Sequence, residues 1–295
     1  IKDGVRPRIQ GNAARALTLD SGRTAIIMHI PRSWSAPHMA MNTSDWGRFY
    51  SRNSAGKYLL DIGEIRSSFL RSATVGERTR AFRAERLAKI VAGETPRLLP
   101  EGAKIVLHLI PFGAFDPGAN YPVTAPEQRN NFFASLHPIG TSAASVRLNF
   151  DGVIRYSDLG YVQFFRNGCV EAVDTQLLKP YGGRKVIPSA IFEQYLIVVL
   201  RAYLPFLNQL GVQPPIAIGL TLLGVRGYEM AVNANHLQFD VYPVDRDDLL
   251  VPEEVIDSYD QEADRILKPS FDVIWNATGW GHSHNYDENG HWKSP

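Results

Sequence analysis

The stretch of the chain richest in chemistry runs from Arg48 to Lys57, Arg-Phe-Tyr-Ser-Arg-Asn-Ser-Ala-Gly-Lys. Arg48, Arg52 and Lys57 are cations of the kind that neutralise phosphates. Tyr50 stands among them with a ring on which an unpaired base can stack. A second stretch, Ile30 to Met39, adds Arg32, Ser33, Trp34 and His38. Arginine and serine position a nucleic-acid backbone, and tryptophan can stack. Farther on, Arg78, Arg80, Arg83, Arg86 and Lys89 are spaced to give a predicted helix a basic outer surface. These residues imply contact with a nucleic-acid backbone through Arg32, Ser33, Trp34, His38, Arg48, Tyr50, Arg52, Lys57, Arg80 and Arg83. The competing reading is also plain. Phe49 fits a core position, and Arg48 or Arg52 could pair with Asp61 or Glu64.

Signatures of catalysis are sparse. His38, His108, His137 and His236 are scattered, and no Gly-x-Ser-x-Gly elbow is present. Cys169 has no activating neighbourhood and reads as a small core hydrophobe on a strand. Gly281-His282-Ser283-His284, with Asp287 and His291, has the look of a metal tract. It lies in a glycine-bearing terminal stretch without the rigid second shell that metal ligands need, so no metal is assigned. Metal-assisted phosphodiester cleavage needs two or three convergent carboxylates. Asp3, Asp20, Asp45, Asp61 and Glu64 form no Glu-x-x-x-Glu cluster. No cofactor is identified, and a divalent metal enters only if the whole protein is a nuclease.

The charge is unevenly placed. Net charge is +1, yet residues 1–89 hold 16 Lys or Arg against 7 Asp or Glu, a net of +9, and the rest carries −8. Most of the negative charge sits between Asp245 and Asp264. Such asymmetry favours an anionic partner for the first part. Apolar content of 44% and charged content of 21% place the chain among globular proteins, long enough for about two domains. One cysteine excludes an intrachain disulfide and a cysteine-based zinc cluster, and it favours a reducing, cytoplasmic setting. No uninterrupted apolar run reaches the ~18–20 residues of a membrane span, and no secretory signal opens the chain. No membrane partner is expected. Position 1 is Ile, and the following Lys-Asp-Gly-Val-Arg-Pro reads like the interior of a domain, so further native sequence is expected before it.

The elements that must position these residues are of mixed type. Arg15–Leu19 and Thr24–Ile30 form a predicted hairpin around Asp20-Ser21-Gly22. A polar stretch runs from Pro31 to about Ser44, and Gly47–Arg52 is a strand. Asp61–Leu70 reads as one helix. Thr74 and Glu77 make a capping-box pattern that starts a second, running to Ala92 with Gly93 as its C′ residue. Gly93–Gly102 is a linker, and Lys104–Ile110 a strand. Residues 111–141 form a long loop with a short helix near Pro126–Leu136. Asp151-Gly152 and Asn167-Gly168 suit two-residue type I′ turns, giving a four-stranded antiparallel meander over 146–173. Ser189–Leu210 is a helix capped by Ser189 and kinked or shortened at Pro205. Strands follow at 215–225, 228–232 and 237–241, with a tight turn at Gly224–Gly227. An acidic helix runs over 251–267, and a polar, aromatic tail lies along the surface with Trp275, Trp280 and Trp292 exposed. The fold class is α+β.

Residues 1–72 resemble the closing half of a Schlafen AlbA-like domain. The resemblance rests on Ile30-Pro31-Arg32-Ser33 with a following Pro37-His38, on the aromatic strand ending Phe49-Tyr50-Ser51-Arg52-Asn53-Ser54, and on the acidic helix start Asp61-Ile62-Gly63-Glu64. It implies a partial AlbA-like α/β half-domain with a helix over 1–92, then an α+β domain with an antiparallel meander packed on helices over 93–295. It implies a nucleic-acid-binding component, taking DNA or RNA, of a bacterial protein in transcriptional control or phage defence. Animal relatives contain a ribonuclease centre, so a metal-dependent endoribonuclease is the alternative, with most of its carboxylates N-terminal of this chain. A third alternative is a protein-interaction subunit of a defence complex, with homo-oligomers or protein complexes as its assemblies. Bacterial members carry an ATP-binding or "divergent AAA" label, for which no Gly-x-x-x-x-Gly-Lys-Ser/Thr loop is present here.

Overall fold

A computed structural model describes residues 4–9, 13–30, 36–41, 47–54, 56–123, 133–141, 144–180, 182–232 and 242–293. Helices and sheets are both prominent, so the chain is of the mixed α+β class. It divides into two compact units, Ile1–Ala81 and Phe82–Pro295. The division falls inside a helix, about a dozen residues before the linker at Gly93.

In the first unit, β1 (Val5–Arg6), β4 (Met39–Met41), β5 (Gly47–Asn53) and β6 (Gly56–Leu59) make an antiparallel sheet in the order β1-β4-β5-β6. The Pro-bearing stretch after Ile30, expected to be irregular, therefore contributes a strand. Beside it in sequence, β2 (Ala13–Thr18) and β3 (Thr24–His29) form the hairpin that Asp20-Ser21-Gly22 signals. Gly22 adopts φ +73° there.

The helix reading needs correcting. A single helix, α1, runs unbroken from Ile62 to Val91. Its start is a capping box at Asp61-x-x-Glu64, thirteen residues earlier in sequence than Thr74-x-x-Glu77. The Glu64 N–H donates to Asp61 Oδ1 at 2.8 Å, and the Asp61 N–H donates to Glu64 Oε2 at 3.0 Å. Thr74 and Glu77 lie in the helix interior, where the preceding turns already satisfy the backbone. Gly93 ends the helix as expected, at φ +77°, with the Glu94 N–H bonded to Lys89 O at 2.8 Å.

The second unit is built on β7 (Lys104–Pro111), β8 (Ser145–Leu148), β9 (Gly152–Tyr156), β10 (Gly160–Phe165), β11 (Val170–Asp174), β13 (Ile216–Leu223), β15 (Leu249–Leu250) and β16 (Glu254–Ile256). These form one antiparallel sheet in the order β15-β13-β7-β11-β10-β9-β8, with β16 also on β13. The predicted meander is β8 to β11. Its turns differ from the Asp-Gly and Asn-Gly reading. Leu148 pairs with Val153, and the Asn149 N–H reaches Gly152 O, so Phe150 and Asp151 are the central pair. At the other turn the Phe165 N–H bonds Cys169 O and the Gly168 N–H bonds Phe165 O. That is a three-residue loop with Gly168 at φ +91°.

The central strands are buried on both faces and read as near-continuous apolar runs. Ile105, Leu107, Leu109, Val162, Phe164, Val170, Ala172 and Ile218 face α2 (Ser189–Gln209) and α3 (Ala263–Asn276). Val106, Tyr161, Val173 and Leu223 face Leu87 and Ile90 of α1, and Phe82 packs beside Ile110, Phe165 and Ala217. Burying each such large side chain contributes roughly 1.5–3 kcal/mol. Two short strands, β12 (Val186–Pro188) and β14 (Glu229–Ala231), pair in parallel beside this core.

Ser189 does not cap α2; its hydroxyl donates to Ala231 O at 2.8 Å. α2 continues through Pro205. By length and composition α2 is apolar enough to cross a membrane, although Glu193 and Arg201 interrupt it. Here it is a core helix, with Phe192, Leu196, Leu200, Tyr203 and Leu207 buried. The acidic helix expected over 251–267 is helical only from Ala263, where α3 begins, and its earlier part holds strand β16. Val255 and Ile256 suit the sheet edge on β13 better than a helix. The segment after α3 is not a loose surface tail. Trp275 is buried, Trp280 and Trp292 pack against the core, and Ser283 is buried. Of the short helix expected near 126–136, the described part is a 3-10 turn at Phe133–Ser135. The strand expected over 237–241 lies outside the described residues.

Candidate nucleic-acid interface

β5 alternates from Gly47 to Arg52. Arg48, Tyr50 and Arg52 are exposed, while Phe49 and Ser51 are half-buried. The alternation follows from the pleat, which sends successive side chains to opposite faces. On the covered side, the Phe49 ring meets the Phe69 ring of α1 edge-on at 6.3 Å. Tyr58, opposite Ser51, donates its hydroxyl to Glu64 Oε1 at 3.0 Å. Phe69 and Glu64 thus hold α1 against this side and leave the other to solvent.

The register assembles the exposed side. Arg52 pairs with Lys57, Tyr50 with Leu59, and Arg48 with Ala40 of β4. Directly opposed residues share a face, so Arg48, Tyr50, Arg52 and Lys57 form one array. The Lys57 ammonium lies 4.6 Å from the centre of the Tyr50 ring, a cation–π contact. No acidic side chain stands on this face among the described residues. The pairing of Arg48 or Arg52 with Asp61 or Glu64 is not formed, because those carboxylates cap α1. The unit as a whole carries thirteen Lys and Arg against six Asp and Glu, a net of +7. A face of this kind can neutralise phosphates and offer a ring to a base.

No protein family, curated protein or solved structure matches the chain.

Of the other residues singled out in the sequence, Arg32, Ser33 and Trp34 lie outside the described residues. His38 sits just before β4, half-buried, with Nδ1 2.7 Å from Pro7 O. Arg80 is exposed on α1. Arg83 is a correction. It is buried, and its guanidinium donates to Val251 O, Leu220 O, Thr221 Oγ1 and Glu253 Oε1 at 2.7–3.2 Å. Gly219 makes the room, since a Cβ there would lie 3.0 Å from Arg83 Nε. Arg86 is likewise not on the surface. Its Nε and Nη2 donate to the two Glu171 oxygens at 2.9 Å each. Leu59 was missed altogether. The signal for it is Gly56, a residue suited to a chain reversal, at the start of a second strand whose register sets Leu59 opposite Tyr50.

Among the described residues of the second unit, three groups of titratable side chains stand out, around Glu171, Glu193 and Asp264. Glu171 is fully buried and accepts from Arg86, from Tyr161 OH at 2.8 Å, and lies 3.0 Å from His108 Nε2. Burial alone would raise its pKa, but the hydrogen bonds from Arg86 and His108 outweigh burial and hold it at about 2. Glu193 is also fully buried. It accepts from Trp275 Nε1, Ser283 Oγ, Asn285 Nδ2 and Trp292 Nε1 at 2.7–3.0 Å. Burial pushes its carboxyl upward against these four donors, which favour the charged form. Glu262, Asp264 and His291 bring ligand atoms within 4.8 Å of one another. There the Arg265 guanidinium occupies His291 Nε2 at 3.0 Å, and Arg201 lies 3.5 Å from Asp264. Arginines already balance those carboxylates, so the cluster is a poor cation site. It differs from the tract expected from His282, His284, Asp287 and His291, of which only His291 takes part.

Proposed function

We propose that the chain is a nucleic-acid-binding component of a bacterial Schlafen-like protein, working in transcriptional control or defence against phage. The binding surface is the exposed face of β5–β6. The observation that carries this reading is the convergence of Arg48, Tyr50, Arg52 and Lys57 on one face with no carboxylate beside them among the described residues. Like charges gathered on one face repel one another, and a phosphate backbone relieves that repulsion while releasing counterions. The residues fit a binding role better than a cleaving one, since cleavage needs convergent carboxylates.

The reading is tested by charge reversal. The double variant Arg52→Glu/Lys57→Glu is expected to lose at least about tenfold in affinity for a labelled oligonucleotide, given the weight of phosphate contacts. Arg184→Glu, on an exposed arginine of the second unit, serves as control. Equal binding by the double variant and the control would contradict the proposal.

A further inference from the structure

The basic face has an apolar centre. Tyr50 and Leu59 oppose each other across the ladder and are 37% and 50% exposed. Arg48 lies at one end of them, and the Arg52–Lys57 pair at the other. Residues two apart on one strand are about 7 Å from each other, so Arg48 and Arg52 stand about 13 Å apart. That interval is close to two phosphate steps along an extended strand.

A duplex presents phosphates and sugars to a flat protein surface, and its base faces are hidden in the stack. Cations alone would serve such a ligand, and Tyr50 with Leu59 would remain in water. The alternative for a β-surface on duplex DNA is entry into the major groove. Four strands about 4.8 Å apart span about 14 Å before side chains are added. The major groove is about 12 Å wide, so a four-stranded face cannot enter it flat. A single strand has neither restriction. Its bases are unstacked at little cost, and every base has a face that can lie on an aromatic ring.

We infer that this face is a platform for single-stranded nucleic acid. One base stacks on Tyr50 with Leu59 beside it, and the flanking phosphates lie on Arg48 and on the Arg52–Lys57 pair. The Lys57 ammonium lies 4.6 Å from the centre of the Tyr50 ring and covers one of its two faces, so the base takes the other. This inference rests on the nucleic-acid reading above.

The test uses the full chain and a fluorescein-labelled oligothymidylate of roughly 20 nucleotides, long enough to cover such a site several times. The same labelled strand annealed to oligoadenylate supplies the duplex, and fluorescence anisotropy is read at one fixed salt concentration. The single strand is expected to bind at least about tenfold more tightly than the duplex. Tyr50→Ala is expected to lose about tenfold or more on the single strand and less than about twofold on the duplex, the usual scale of base–aromatic stacking. Tyr50→Phe keeps the ring and is expected to keep the affinity, which separates loss of stacking from loss of fold. Equal binding of the two ligands, or a Tyr50→Ala loss that is the same on both, overturns the platform and leaves the nucleic-acid reading standing. Absence of binding to both ligands overturns the two together.

Discussion

Arginines of the same chemical type meet opposite fates within forty residues. Arg48 and Arg52 are held in water by a strand that alternates, whereas Arg83 and Arg86 are buried by a helix that does not. The buried positions of α1, Val75, Thr79, Arg83, Arg86, Leu87 and Ile90, fall at helical spacing. That stripe is legible in the sequence only if arginine is allowed inside. A guanidinium is buried where acceptors wait for it, and Glu171, on a strand 85 residues beyond Arg86, gives no local sign of doing so. Arg83 is hidden from sequence for that reason, while the alternation of β5 makes Arg48, Tyr50 and Arg52 legible as one face. Glu171→Gln should expose the strength of this anchor. Removing one partner of a buried ion pair costs about 3–5 kcal/mol, read by urea unfolding at pH 7. The sign with pH follows from the lowered pKa. The Glu171 contribution is complete above its ordinary value of 4.5 and fades as pH falls toward about 2. Wild type should therefore lose more stability than Glu171→Gln between pH 5 and pH 2. Equal losses would show that the carboxylate is not held in its charged form.

Among the elements, strands and turns were easier to read than helix ends. The Asp20-Ser21-Gly22 hairpin and the 146–173 meander follow from alternation punctuated by glycine, which acts over a few residues. The ends of α1 and α3 depend on competition. Two capping boxes stand near α1, and Asp61–Glu64 prevails because the strand β6 stops at Leu59 and hands the chain directly to it. Pro252 at the head of an acidic run signals a helix start, yet Val255 and Ile256 pair with the edge of β13. Tertiary pairing of that kind overrides local propensity. The capping assignment can be checked directly. Asp61→Ala should cost ~1 kcal/mol in thermal or urea unfolding followed by circular dichroism, the usual worth of an N-cap. Glu77→Ala, on the exposed surface of the helix interior, should stay within about 0.5 kcal/mol. Comparable losses from the two would return the helix start to Thr74.

For the whole molecule, the division of charge is the feature that bears on function. The unit Ile1–Ala81 carries +7, and Phe82–Pro295 carries 18 Lys or Arg against 24 Asp or Glu, a net of −6. Such a partition suits a chain whose first unit meets a polyanion and whose second does not, and long-range attraction of that kind is set by ionic strength. The most direct measurement is the affinity of the full chain for a labelled single-stranded oligonucleotide as a function of salt. A log–log plot should fall steeply, with each neutralised phosphate contributing a slope of about −0.7. The triple variant Arg48→Ala/Arg52→Ala/Lys57→Ala should flatten that slope by about 2, in proportion to the phosphates released. A wild-type slope near zero, or one that the triple variant leaves unchanged, would contradict the assignment of this face to nucleic acid.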